Sequence, residues 1–118
     1  MRKALEDDIQ FRILRILEQR PEISQRELAA EVGIALGKVN FLLNALMAKG
    51  LVKFRNFHNA QNKLAYAYVL TPVGLRAKAD LTAGFLSRKM VEYEMLKAEI
   101  EDLKRETSLA NDATAGRS

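Results

Sequence analysis

The sequence predicts a mainly α-helical chain with one small β-hairpin near its middle, and three observations lead there. Apolar residues recur at steps of three and four over residues 5–49 and again over 72–103, the spacing of a helix face. Between those stretches, over 51–57 and 64–70, the pattern shortens toward alternation and turns aromatic and aliphatic. Pro21, Gly33, Gly50 and Pro72 stand where one pattern gives way to the next. With 118 residues there is room for one domain and an appendage, and too little for a two-domain enzyme or a barrel of roughly 200 residues.

Each element has its own local cause. Leu5, Ile9, Ile13, Ile16 and Leu17 predict a first helix over about Leu5–Gln19, with Glu6, Asp7 and Asp8 at its start where the helix dipole favours acids. Pro21 ends it. Ser24-Gln25-Arg26-Glu27 reads as a capping box, with Ile23 and Leu28 as the accompanying hydrophobic staple. The short helix it starts stops at Gly33, as at a C′ glycine. A third helix is predicted from Ala35 or Leu36 to Lys49, burying Val39, Leu42, Leu43 and Leu46, with Gly50 as its terminator. Ala35 stands where a hydroxyl cap is common, so this helix start is expected to be less well fixed.

Residues 51–57 and 64–70 read as strands joined by the polar turn His58-Asn59-Ala60-Gln61-Asn62-Lys63. Thr71-Pro72 is an N-cap followed by proline at the first helical position. The last helix is expected to run to about Glu106, roughly 50 Å if unbroken, with Gly84 as its weak point. Residues 107–118 are small and polar and are expected to form a disordered tail. Three helices, a hairpin and a further helix describe a winged helix-turn-helix: a DNA-binding domain over 1–74, a dimerisation helix over 75–106 and the tail.

Charge placement narrows the function. Net charge is only +4, but residues 51–71 hold three basic residues and no acid. From Glu31 to Asp80 no Asp or Glu occurs, while Lys38, Lys49, Lys53, Arg55, Lys63, Arg76 and Lys78 do. Amides fill much of the remaining polar surface there. Neutral hydrogen-bonding groups with scattered positive charge suit a polyanion, which carboxylates would repel. A run of core helix and hairpin in which acids are simply scarce explains part of the gap.

Several classes are excluded. Without cysteine there is no disulfide scaffold or thiolate metal site, and one histidine, His58, makes no metal cluster. No phosphate-binding glycine loop or nucleophile elbow occurs, so neither enzymatic activity nor a cofactor is expected. Acids follow the N-terminus at once, unlike a signal peptide, and no apolar run approaches the roughly 18 residues of a membrane span. A cytoplasmic protein with no membrane partner is the expectation.

Specific runs carry a family resemblance. Glu27-Leu28-Ala29-Ala30, Gly33, Gly37-Lys38-Val39-Asn40, Lys49-Gly50-Leu51-Val52 and Leu70-Thr71-Pro72-Val73-Gly74 resemble winged-helix transcriptional regulators of the MarR type. The run Gly37–Leu43 is similar to the small MarR-like regulators associated with exopolysaccharide synthesis. Asn56-Phe57, Asn62-Lys63, Leu81-Thr82 and Phe85-Leu86-Ser87-Arg88-Lys89 add to that match, which covers about residues 5–104. The resemblance implies a homodimer acting on double-stranded DNA. Few residues precede the first helix, where typical MarR proteins have a further helix lining a ligand pocket, so a small-molecule effector is not expected.

The candidate readers are those residues near the start of the third helix (about 36–49) that its core face does not need: Leu36, Gly37, Lys38, Asn40, Phe41 and Asn44. Lys38 suits a phosphate or guanine edge, and Asn40 and Asn44 suit adenine. Phe41 either packs on the first helix, the expected fate, or meets a thymine methyl. In the wing (53–68), Arg55, Asn56, His58, Asn59, Asn62 and Lys63 would follow the backbone or enter the minor groove. A solvated helix face and an inert polar turn are the plainer readings.

The last helix carries Leu81, Phe85, Leu86, Met90, Tyr93, Leu96, Ile100 and Leu103 as a stripe, with seven basic and seven acidic residues over 72–106. The stripe from Leu86 outlasts what a small domain covers, so a homodimer through residues 81–104, by a coiled coil, is expected. The alternatives are a winged-helix protein-interaction module with a coiled-coil arm and an architectural DNA binder without sequence preference.

Overall fold

The computed structural model describes residues 2–115. Six elements follow in order: α1 (Arg2–Gln19), α2 (Gln25–Val32), α3 (Leu36–Ala48), β1 (Val52–His58), β2 (Leu64–Leu70) and α4 (Pro72–Ala115). All six expected elements are present. The chain divides into two compact units, one through Phe85 and one from Leu86 onward.

The core of the first unit lies where α1, α2 and α3 meet the base of the hairpin. Ile13, Leu14 and Leu17 of α1 are buried against Leu28 and Val32 of α2, Val39, Leu43 and Leu46 of α3, and Val52 of β1. Ile13, Leu17, Val39, Leu43 and Leu46 are the expected positions; Leu14 joins them unforeseen, while Leu5 is exposed and Ile9, Ile16 and Leu42 are only partly buried.

The caps form as their residue types dictate. Ser24 Oγ accepts from the Glu27 N–H at 3.0 Å, and the Ser24 hydroxyl lies 3.1 Å from Glu27 Oε1. The return half of the capping box therefore runs to the serine side chain. Ile23 and Leu28 are both buried, as a staple requires. Gly33 ends α2 with φ 79°, a left-handed backbone that glycine adopts without a Cβ penalty, and its N–H reaches the Ala29 carbonyl. Ala35 caps α3 without a side-chain bond; its carbonyl alone accepts from the Lys38 and Val39 N–H groups.

β1 and β2 pair antiparallel from Val52↔Leu70 to His58↔Leu64. The Tyr68 N–H donates to the Pro21 carbonyl at 3.0 Å, tying the hairpin to the α1–α2 connection. An ion pair joins Arg20 to Glu31. The Arg20 hydrogen bond holds the exposed Glu31 carboxyl below its usual pKa, so its small contribution persists above the ordinary carboxylate range and fades as pH falls through the lowered value.

Thr71 starts α4 and locks it in place. Its Oγ1 accepts from the Gly74 N–H at 3.0 Å and donates to the Gly50 carbonyl at 2.6 Å. The Thr71 N–H donates to the Leu51 carbonyl at 3.0 Å. Farther along, Ala77 and Leu81 pack on the core, Phe85 lies with its ring centroid 4.6 Å from that of Phe11, and Lys78 pairs with Glu18 at 2.9 Å. These contacts carry the first unit past residue 74, where the sequence had ended the domain.

One expectation about α4, its end near Glu106, is corrected. The helix is continuous through Gly84, and it runs past Glu106 to Ala115, so residues 107–115 are helical. The small residues of that stretch suggest a tail by polarity alone. Alanine is the best helix former, and the Thr107 and Thr114 hydroxyls donate to the carbonyls of Leu103 and Ala110 within the helix. The rest of the expected tail, residues 116–118, lies outside the described residues.

Candidate nucleic-acid interface

α2 and α3 meet at 105°, joined by the turn at Gly33, within the range of a helix-turn-helix. Because Val39, Leu43 and Leu46 are buried, the opposite side of α3 must face out. Leu36, Gly37, Lys38, Asn40, Phe41 and Asn44 are all exposed, together at the open end of the helix. A Cβ added at Gly37 would meet nothing within 4 Å, so the fold itself does not demand glycine there.

Phe41 corrects an expectation. It is 66% exposed rather than packed in the core, because the α1-facing side of α3 is supplied by Leu42 and Leu46. Its ring and Lys38 line a hollow of about 610 Å³ between α1 and α3, floored by Leu5, Ile9 and Ile13. The Lys38 ammonium lies 5.9 Å from the Phe41 ring centroid, at the outer reach of a cation–π contact.

The two asparagines act as one group. Asn44 Nδ2 donates to Asn40 Oδ1 at 2.8 Å. What remains to face a ligand is the Asn40 NH₂ beside the Asn44 carbonyl oxygen, a donor next to an acceptor. Adenine presents the complementary pair, N7 and its amino group, in the major groove. Sequence spacing placed both residues on one face but did not disclose that they bind each other.

On the wing, Arg55, Asn56, His58, Asn62 and Lys63 are exposed. Asn59 has a different role. Its Oδ1 accepts from the N–H groups of Gln61 and Lys63, both at 3.0 Å, and its backbone N–H reaches the Lys63 carbonyl. Its side chain builds the turn, an Asx arrangement that asparagine favours, and Asn62 takes the left-handed position with φ 59°. This member of the expected contact set thus also builds the turn that positions Lys63.

The sequence reading did not single out the wing's aromatic face. Phe54 lies 5.5 Å from Tyr66 and 5.3 Å from Tyr68, ring to ring, with Phe54 and Tyr66 about half exposed. The Tyr68 hydroxyl accepts from Gln25 Nε2 at 2.8 Å, linking the first turn of α2 to the hairpin. The register Phe54↔Tyr68 was the available signal, since residues paired across strands share a face.

A family profile for winged helix-turn-helix DNA-binding domains matches residues 6–53, which span α1, α2, α3 and the start of β1. The fold is a winged helix-turn-helix. Solved structures agree with it. A PadR-like transcriptional regulator from Bacillus cereus superposes with a TM-score of 0.67 at 16% identity, over 80% of this chain and 96% of that one. The PcaV transcriptional regulator from Streptomyces coelicolor, solved with its natural ligand, gives 0.59 at 22% identity, over 84% and 72%. A MarR family regulator from Silicibacter pomeroyi gives 0.50 at 22% identity, over 67% and 51%. No curated protein matches the chain by sequence.

In the winged helix-turn-helix frame the candidate residues fall on the open face of α3, at the hairpin tip, and, for Arg55 and Asn56, along the middle of β1. Leu81 and Phe85, expected in a dimer seam, are partly buried in the winged unit's own packing. Leu86, Met90, Tyr93, Leu96, Ile100 and Leu103 are exposed. Among the described residues no three His, Cys, Asp or Glu side chains come together, and no single helix is long and apolar enough to cross a membrane.

Proposed function

We propose that the protein is a homodimeric, sequence-specific DNA-binding transcriptional regulator of the cytoplasm. α3 enters the major groove and the wing rests on the backbone or in the minor groove. The observation that carries this reading is the open face of α3, where an ordered amide pair, a lysine and a glycine stand side by side on a helix anchored by its opposite face. The absence of acids from Val32 to Lys78 supports it, since that stretch holds all of α3 and the wing. Its resemblance over Gly37–Leu43 points to exopolysaccharide genes as targets.

Selection of bound sequences from random duplexes tests the reading, and a palindrome is the expected product. Binding that is equally salt-sensitive on every duplex would make the protein an architectural binder. No binding at low salt would leave a protein-interaction module. Asn40→Ala and Asn44→Ala should each lose discrimination at the same base position, by about 1–3 kcal/mol, and the double variant should lose no more than one alone. Equal weakening on all sequences would refute direct readout. Lys63→Ala should weaken all duplexes alike and lower the salt slope by about one, read from binding titrations between low and moderate salt.

A further inference from the structure

Beyond Phe85, α4 presents an apolar stripe whose members are 43–62% exposed: Leu86, Met90, Tyr93, Leu96, Ile100 and Leu103. From Tyr93 onward its steps alternate three and four, the heptad spacing of a coiled coil. Tyr93, Ile100 and Thr107 then take the a positions, and Leu96, Leu103 and Ala110 the d positions. Leu86 and Met90 continue the stripe upstream one step out of phase, since two steps of three meet at Tyr93.

The flanking charges are sorted by sign. All three g positions are acidic (Glu92, Glu99 and Glu106), while the e positions following Tyr93 and Ile100 are Lys97 and Lys104. In a parallel pair of helices, g of one copy lies beside the next e of the other. Glu92 then meets Lys97 of the second copy, Glu99 meets its Lys104, and two-fold symmetry repeats both contacts. In an antiparallel pair g faces g and e faces e, so carboxylates meet carboxylates and ammonium groups meet ammonium groups. The apolar positions agree, because β-branched Ile100 at a with Leu96 and Leu103 at d favours two parallel strands.

We propose that residues 93–110 of two copies form a parallel, in-register two-stranded coiled coil whose direction is selected by the glutamate–lysine order. The proposal rests on the homodimer reading above and adds its geometry. Each winged unit precedes the seam in its own chain, and a parallel pair has its two-fold axis along the seam, compatible with reading two half-sites related by a two-fold axis.

The full chain lacks cysteine, which permits a single-site test. Ala110→Cys places a thiol at the last d position, where parallel helices hold the two Cα atoms about 6 Å apart, within disulfide range. An antiparallel pair centred on the same stripe would hold them about 25 Å apart at 1.5 Å per residue. In a glutathione redox buffer the variant is expected to run as a disulfide-linked dimer, while the parent shows a dimer mass in light scattering. A dimer mass without the disulfide overturns the parallel seam and leaves the dimer standing. A monomer at every concentration overturns both.

A charge exchange tests the selection itself. Glu99→Lys and Lys104→Glu should each raise the dimer dissociation constant roughly fivefold or more, and the double variant should restore it. Singles that leave the constant unchanged, or a double that fails to rescue, overturn the role of the charges.

Discussion

Gly74→Ala should destabilise the winged unit by about 3 kcal/mol and lower its melting temperature by roughly 15 °C. An added Cβ would stand 2.0 Å from the Leu51 carbonyl oxygen and 2.9 Å from its carbon, both backbone atoms. Neither side can yield cheaply. The Leu51 carbonyl accepts from the Thr71 N–H at 3.0 Å and the Leu51 N–H donates to the Leu46 carbonyl at 3.0 Å, so moving it disturbs the end of α3. Moving α4 instead breaks the bond from the Gly74 N–H to Thr71 Oγ1. On an open helix the same substitution would be favourable by about 1 kcal/mol, because alanine is the better helix former. The sign of the change in a circular-dichroism melt therefore decides: an unchanged or raised midpoint would remove the contact.

Leu96→Asp should convert the proposed dimer to a monomer and lower affinity for a palindromic duplex by about a hundredfold or more, with little effect on the winged unit's own melting. Leu96 is 55% exposed in the protomer, so the protomer loses little burial. In the proposed seam the change sets two carboxylates against each other at an apolar position. Affinity falls because a dimer binds its second half-site intramolecularly, at an effective concentration a monomer cannot match. Light scattering reads the mass, and fluorescence anisotropy on whole and half operators reads the affinity. An undiminished dimer mass would place the seam elsewhere; equal loss on half and whole operators would show damage to the reading head instead.

The residues readable from local chemistry are those whose partners lie within about four positions. Ser24 with Glu27, Gly33 with Ala29, and Thr71 with Gly74 each close a cap over that distance, which is why helix starts and stops were legible. Residues 107–115 were the local failure. Polarity points to a tail there, but alanine propensity in a helix already propagating decides, since extension costs far less than nucleation.

The site was half legible for the same reason. Periodicity assigns Gly37, Lys38, Asn40 and Asn44 to one face of α3, because exposure follows from which face is apolar. It could not assign Phe41. A large aromatic side chain at the edge of the apolar stripe is buried only if a neighbour arrives to cover it, and at that edge α1 leaves a hollow.

Element order, caps and the charge order along α4 are thus properties of this chain's local sequence, because hydrogen-bond closure and side-chain period act over a few residues. Tertiary structure alone exposed Phe41, used Leu81 and Phe85 inside the winged unit, and pressed Gly74 against Leu51. Each of those outcomes depends on surfaces from segments distant in sequence filling the same volume, and close packing has no local signature.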